Sequence, residues 1–260
     1  MAVLVRLTSI YERVGFDVST GLNPTHVYGE PVAPFTYLLK DGEIWKAAAG
    51  IAVQELYFLE ALAEAWQPRH VLIVGNAFGW SAVAMAMIFP RARILAIDAA
   101  ASEGIDLTNR IAANEGLDNL LAVQASSPGD IAQLAASHAH QTAWDLLFID
   151  GEHSKEQAAV DFAAIRPHAD PEALWLFHDA ISFSYLDAVE RLGEKSGLVF
   201  QPLWRTPSGI AALVPQSLVT SVAPVLHAFA GSEQAFRHMR RLGRFGAGER
   251  LLSGLRCPEI

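Results

Sequence analysis

Residues 70–89 read HVLIVGNAFGWSAVAMAMIF, and this stretch decides the fold. HVLIVG (70–75) is a continuous, largely β-branched apolar run, the pattern of a strand covered on both faces of a parallel sheet. Gly75 and Gly79 then allow a sharp turn and a close approach of the backbone to a ligand. A helix over 80–89 begins beyond Gly79 and directs its unpaired amides at the same place. Strand, glycine turn and helix open an α/β sheet whose ligands bind past the carboxyl ends of the strands, where strand order reverses.

The unit repeats downstream. ARILAID (92–98) is a second strand, followed by a helix from about Leu107 to Glu115 with Gly116 as its left-handed cap. NLLAVQA (119–125) is a third, and Ser127-Pro128-Gly129-Asp130 opens the next helix, with Ser127 as its cap. WDLLFID (144–150) is a fourth, and Ser154-Lys155-Glu156-Gln157 is a capping box. ALWLFHD (173–179) is a fifth, followed by a helix at 184–195. GLVFQPLW (197–204) and GIAALVP (209–215) are separated only by Arg205-Thr206-Pro207-Ser208, too few residues for a parallel crossover. The fold class is therefore α/β: a Rossmann-like, doubly wound seven-stranded sheet, parallel except for the last, antiparallel strand of a terminal hairpin. Upstream, Asp41 can cap a helix in which Ile44, Trp45, Ile51, Leu56, Leu59, Leu62 and Trp66 recur at helical steps.

The composition bounds the function. Of 260 residues, 52% are hydrophobic and 18% charged, enough apolar material for a large core and too much for a disordered chain. The formal charge of −9 argues against a nucleic-acid partner. Cys257 is the single cysteine, which excludes an intrachain disulfide and a cysteine metal cluster. The longest weakly polar stretch, SAVAMAMIF (81–89), is far short of the roughly 20 residues that cross a membrane. A cytoplasmic protein with no membrane partner is expected.

The turn Gly75-Asn76-Ala77-Phe78-Gly79 lacks the third glycine of a dinucleotide fingerprint, and no Gly-Lys-Ser/Thr follows as in a P-loop. Alone it is equally well a turn without a ligand. Asp98 ends the second strand 23 residues past Gly75, where an acid can accept both hydroxyls of a ribose. By itself Asp98 reads as a cap or a solvated carboxylate. The two features together indicate a nucleoside-containing ligand.

Three segments carry a family resemblance: Gly75 through Gly79-Trp80-Ser81, Ile149-Asp150-Gly151-Glu152-His153-Ser154, and His178-Asp179. The chain resembles the class I S-adenosylmethionine-dependent methyltransferases, more closely the small-molecule O-methyltransferases of sugar and catechol type. The resemblance covers about residues 41–215. It implies S-adenosyl-L-methionine as cofactor, with Gly75, Asn76, Gly79 and Ser81 around its methionine end. Asp98 then holds the ribose, Ser126 and Ser127 lie near the adenine, and Asp150 borders the site. It also implies a small hydroxylated acceptor. The chain departs from the family pattern at Ile73, Ala77 and Ala180. On this reading, residues 1–40 are an irregular N-terminal cap carrying Pro24, Pro31 and Pro34. Residues 41–215 are the cofactor-binding catalytic domain, and 216–260 a helical C-terminal extension. The basic stretch RHMRRLGR (237–244) reads as a solvated helix face, with an active-site lid or a homodimer contact as alternatives.

Asp150 and Asp179 end neighbouring strands, and two converging carboxylates suit a hard cation such as Mg²⁺. His153 and His178 are the candidate bases, because a histidine near its ordinary pKa of about 6.5 can take a hydroxyl proton at neutral pH. His153 otherwise caps or bridges its loop, and strand alternation can turn His178 away from the site. Asp145 starts its strand and belongs at the far end. Trp144, Trp175 and Trp204 read as core, Trp80 as a flank of the cofactor, and His138 and His140 as the end of a helix. Two other functions stay open: a different nucleoside-cofactor enzyme, such as a nicotinamide oxidoreductase, and a binding protein that has lost its chemistry.

Overall fold

A helix, α1 (Val3–Arg13), opens the chain and buries Leu7, Ile10 and Tyr11, one face at helical spacing. Three short strands follow, β1 (Asp17–Ser19), β2 (Phe35–Lys40) and β3 (Glu43–Ile51), paired antiparallel in that order. The computed structural model describes residues 2–20, 35–100, 103–137, 143–234 and 237. Pro24, Pro31, Pro34, His138, His140, Cys257 and the basic stretch beyond Arg237 lie outside the described residues.

The helix expected from Asp41 is corrected here, because residues 43–51 are strand and α2 spans Val53–Ala65. Asp41 (φ 55°) and Gly42 (φ 81°) both take left-handed backbone and set Lys40 opposite Glu43. An Asp-Gly pair in this conformation is the tight turn that matches the twist of a hairpin. The spacing of Ile44, Trp45 and Ile51 is compatible with either element, and the turn decides it.

The main sheet contains β4 (His70–Val74), β5 (Arg93–Asp98), β6 (Leu120–Gln124), β7 (Trp144–Ile149), β8 (Ala169–Phe177), β9 (Val199–Leu203) and β10 (Ile210–Val214). Their order is β6-β5-β4-β7-β8-β10-β9, with β10 antiparallel to both of its neighbours and the other pairs parallel. The seven-stranded sheet and its terminal hairpin are as the sequence indicates. Between the strands run α3 (Trp80–Ile88), α4 (Glu103–Glu115), α5 (Ile131–Ser137), α6 (Lys155–Ile165) and α7 (Leu186–Ser196), and α8 (Gln216–Ala230) follows β10.

Along β4, Val71 and Ile73 enter one core cluster while Leu72 and Val74 enter the other. That two-sided burial is why the strand is apolar at every position. Asp145 lies at the opposite end of the sheet from the glycine turn, where it accepts hydrogen bonds from the amides of Arg69 and His70. Trp144 and Trp175 are buried in the core.

Candidate active site

Strand order reverses at β4, whose neighbours are β5 and β7. The ladder runs one residue past each tip. Gly75 N–H donates to Ile97 O (2.8 Å), Asp150 N–H to Val74 O (2.8 Å) and His178 N–H to Ile149 O (2.9 Å). These bonds set the glycine turn, Asp150 and the His178-Asp179 pair side by side, around a cavity of about 610 Å³.

Gly75 (φ 101°) packs so closely on the β7 tip that a Cβ there would lie 2.7 Å from the Asp150 carbonyl carbon. Its bare backbone is what lets the two tips meet. Gly79 (φ 81°) caps α3 in left-handed conformation and packs on Thr108. Ala77, where the family has glycine, also has positive φ (43°). Asp98 holds it there: Oδ2 accepts from the amides of Ala77 (2.8 Å) and Asn76 (3.1 Å), and Oδ1 from Ala100 N–H (2.9 Å). Asn76 Nδ2 donates to Ala77 O (3.0 Å) and Thr108 Oγ1 (3.1 Å), so its side chain braces the loop from within.

At the other wall a cluster of acids and histidines gathers. His153 Nε2 lies 3.2 Å from Asp179 Oδ2, and Phe183 tilts against the His153 ring at 4.6 Å between centroids. Asp179 takes a left-handed conformation (φ 62°), a strained backbone for a non-glycine residue at a strand tip. His178 is almost fully buried; its Nδ1 lies 2.8 Å from Asp150 Oδ1 and 3.5 Å from Asp179 Oδ1. Burial alone would lower the His178 pKa, but the charges of Asp150 and Glu55 outweigh it and raise the pKa well above the usual value. Burial raises the pKa of Asp150. Burial acts in the same direction on Asp179, yet its contact with His178 turns the net shift downward. Asp179 Oδ1 is buried without a hydrogen bond.

Gly75, Asn76, Ser81, Asp98, Ser127 and Asp150 line the cavity, as do His153, His178 and Asp179. Gly79 shapes the turn behind the lining. Ser126 lies off it too: Asp130 Oδ2 accepts from its hydroxyl (2.8 Å) and its amide (2.7 Å). The helix expected to be capped by Ser127 starts only at Ile131, and the Ser127 side chain faces the Asp161 carboxyl instead. Trp80 lines the cavity but is buried against Tyr11 and Gly50. Sequence reasoning missed Glu55 and Ser208, which meet His178 from 123 and 30 residues away. It also missed Gln157, whose amide donates to Ser127 O (3.0 Å) and Asp161 Oδ1 (2.8 Å).

Residues 72–180 match a family model described as a methyltransferase domain. They contain the glycine turn, Asp98 and the acid–histidine cluster. The chain therefore carries a methyltransferase domain, in the fold of the class I, S-adenosylmethionine-dependent enzymes. Solved structures share that fold. A methyltransferase from Geobacter sulfurreducens is 18% identical, with 63% of this chain and 80% of that one covered and a TM-score of 0.52. Rv0187 from MTB, solved with cofactor bound, is 19% identical over 82% of this chain and 88% of that one, at a TM-score of 0.53. An O-methyltransferase from Bacillus cereus, in complex with SAH, is 12% identical over 83% and 91%, at a TM-score of 0.50. No curated protein matches by sequence. Among the described residues no helix is long and apolar enough to cross a membrane.

Proposed function

We propose that the protein is an O-methyltransferase that uses S-adenosyl-L-methionine as methyl donor and a small hydroxylated metabolite as acceptor. The observation that carries this reading is the single cavity edged by the glycine turn and Asp98 on one side and by Asp150, His153 and Asp179 on the other. The donor is a nucleoside bearing a sulfonium and an ammonium, and a cavity walled by carboxylates favours such a cation. The residues present fit it. Ser127 lines the cavity where the adenine would lie, and Gly75 leaves backbone room that a Cβ would fill. Asn76 and Ser81 lie toward the methionine end, with Gly79 starting the helix and Ser126 bracing the adenine loop.

When bound, the donor supplies an electrophilic methyl carbon, so the protein's work is positioning and deprotonation. Asp179 Oδ2 accepts from His153 Nε2–H and fixes the ring, which leaves Nδ1 to take the acceptor hydroxyl proton. The acceptor oxygen then forms its bond to the methyl carbon as the carbon–sulfur bond breaks. His178 is the weaker candidate for base, because both of its nitrogens already face carboxylates.

Asp98→Ala is expected to weaken binding of S-adenosylhomocysteine by about 1.5–3 kcal/mol, the range for hydrogen bonds to a charged group. Calorimetry measures it, and unchanged affinity would take Asp98 out of the site. A wild-type protein that gives no heat with either form of the cofactor would end the methyltransferase reading.

A metal-assisted variant has one observation in its favour. Asp150, His153 and Asp179 each offer a ligand atom, all within 4.8 Å of one another. The set fits a divalent ion that would polarise the acceptor oxygen. Two carboxylates suit Mg²⁺ or Mn²⁺, and the imidazole suits Zn²⁺ better. If His153 is the base, methyl transfer persists after exhaustive chelation. Loss of turnover on chelation, with recovery on adding Mg²⁺ or Mn²⁺, would replace the free base with a metal-held acceptor.

A further inference from the structure

Glu55 is the third residue of α2, it is fully buried, and nothing in its local sequence marks it as functional. Its carboxylate joins three segments that are remote in the chain. Oε2 accepts from Ala52 N–H (2.8 Å) and lies 3.0 Å from His178 Nε2. Oε1 accepts from the hydroxyl of Ser208 and from its amide (3.4 Å). Ser208 belongs to the turn between β9 and β10, and its Oγ is itself 3.0 Å from His178 Nε2.

The chemistry of these contacts fixes their direction. A backbone amide is only ever a donor. One such amide faces Oε2 and another faces Oε1, so both oxygens must act as acceptors. Against a carboxylate at Oε2, His178 Nε2 is the donor. With Nε2 committed to Glu55, the ring turns Nδ1 to Asp150 Oδ1 and Asp179 Oδ1. Asp179 in turn holds His153.

We propose that Glu55 is a positioning residue of the active site, acting through His178. By accepting from Nε2–H it fixes the ring so that Nδ1 stands 2.8 Å from Asp150 Oδ1 and 3.5 Å from Asp179 Oδ1, and through the placement of Asp179 it sets the His153 ring. Glu55 does not line the cavity and touches neither cofactor nor acceptor. Without this anchor nothing selects which ring nitrogen meets Asp150. The role in turnover rests on the methyltransferase reading, whereas the ring geometry does not.

The test is the imidazole ¹H–¹⁵N spectrum of the full chain labelled at histidine, with the His178 signals assigned by their absence in His178→Gln. Wild type should show a solvent-protected, downfield Nε2–H. Glu55→Gln should move that signal upfield and open it to exchange, because a neutral amide is a weaker acceptor than a carboxylate. Ser208→Ala should leave it in place, and this variant with wild type decides the matter if Glu55→Gln does not fold. In Glu55→Gln, acceptor turnover should fall by about 10–100-fold, the scale on which a partner behind a site residue acts. Affinity for S-adenosylhomocysteine and acceptor KM should hold. An unprotonated Nε2 in wild type, a signal indifferent to Glu55→Gln, or one lost in Ser208→Ala would overturn the proposal. Expected ring signals in a protein that binds no S-adenosylhomocysteine would instead overturn the methyltransferase reading alone.

Discussion

His153→Ala is expected to slow methyl transfer by about 10²–10⁴-fold, the usual worth of a general base, while S-adenosylhomocysteine binds as in wild type. That range is about 2.7–5.5 kcal/mol of transition-state stabilisation. It is large because an alcohol or phenol is a weak nucleophile until its proton is drawn off. In the proposed mechanism His153 draws it off. The side chain lines the cavity, Asp179 Oδ2 lies 3.2 Å from Nε2, and Phe183 closes one face of the ring. The left-handed backbone of Asp179 is the local strain by which the tip presents this carboxylate. His178 lacks that freedom, since Glu55 and Asp150 bracket its two nitrogens. The measurement is the initial rate of labelled methyl transfer from S-adenosylmethionine to phenolic and sugar hydroxyls, with cofactor affinity read separately. A wild-type rate in His153→Ala would sink the assignment and pass the role to His178 or to a metal-held hydroxyl.

Asp179→Asn separates a base oriented by a carboxylate from one that acts alone. Asparagine keeps the shape but can offer its amide to Nε2, which favours the tautomer with the proton on Nδ1. Turnover should fall without loss of fold. The same change in a metal-dependent site would also lower metal affinity, which chelation reads independently.

The strands of the main sheet are legible in the sequence because each is a short apolar run, and four of the seven close on a glycine or an acid. Gly75, Asp98, Asp150 and Asp179 are legible with them, since ligand-facing residues in this architecture sit one step past such runs. The N-terminal hairpin is not, and its second strand reads as helix. Ile44, Trp45 and Ile51 satisfy a helical spacing as well as a strand, and only Asp41-Gly42 with positive φ at both residues breaks the tie. Glu55 and Ser208 cannot be found in this way. Their partner His178 is 123 residues from one and 30 from the other. A contact across such a distance leaves no periodicity or spacing in the chain. Ala77 belongs to a third kind: its departure from the family's glycine is visible in the sequence, but not that Asp98 holds it at positive φ.

Gly75→Ala should cost the protein a large part of its stability and its cofactor binding together. The new methyl group would lie 2.7 Å from the Asp150 carbonyl carbon and closer still to its oxygen. Those atoms are backbone, fixed in place by Asp150 N–H to Val74 O and Gly75 N–H to Ile97 O, so no flexible side chain can move aside. Forcing an extra carbon into a packed core costs about 1–3 kcal/mol. Left-handed backbone adds about 1–2 kcal/mol for any residue with a Cβ, and φ of 101° is beyond the favoured part of that region. About 2–5 kcal/mol is a severe loss against a typical total of about 5–15 kcal/mol. Gly42→Ala is the control, because Gly42 also has positive φ (81°) but a methyl group there would meet nothing within 4 Å. It should lose only the backbone share, about 1 kcal/mol, and keep its affinity for S-adenosylhomocysteine. Urea unfolding and calorimetry of the two variants measure the difference. Equal losses would mean that Gly75 is required for its backbone angle alone, and that the β4 and β7 tips do not meet as closely as the cofactor turn requires.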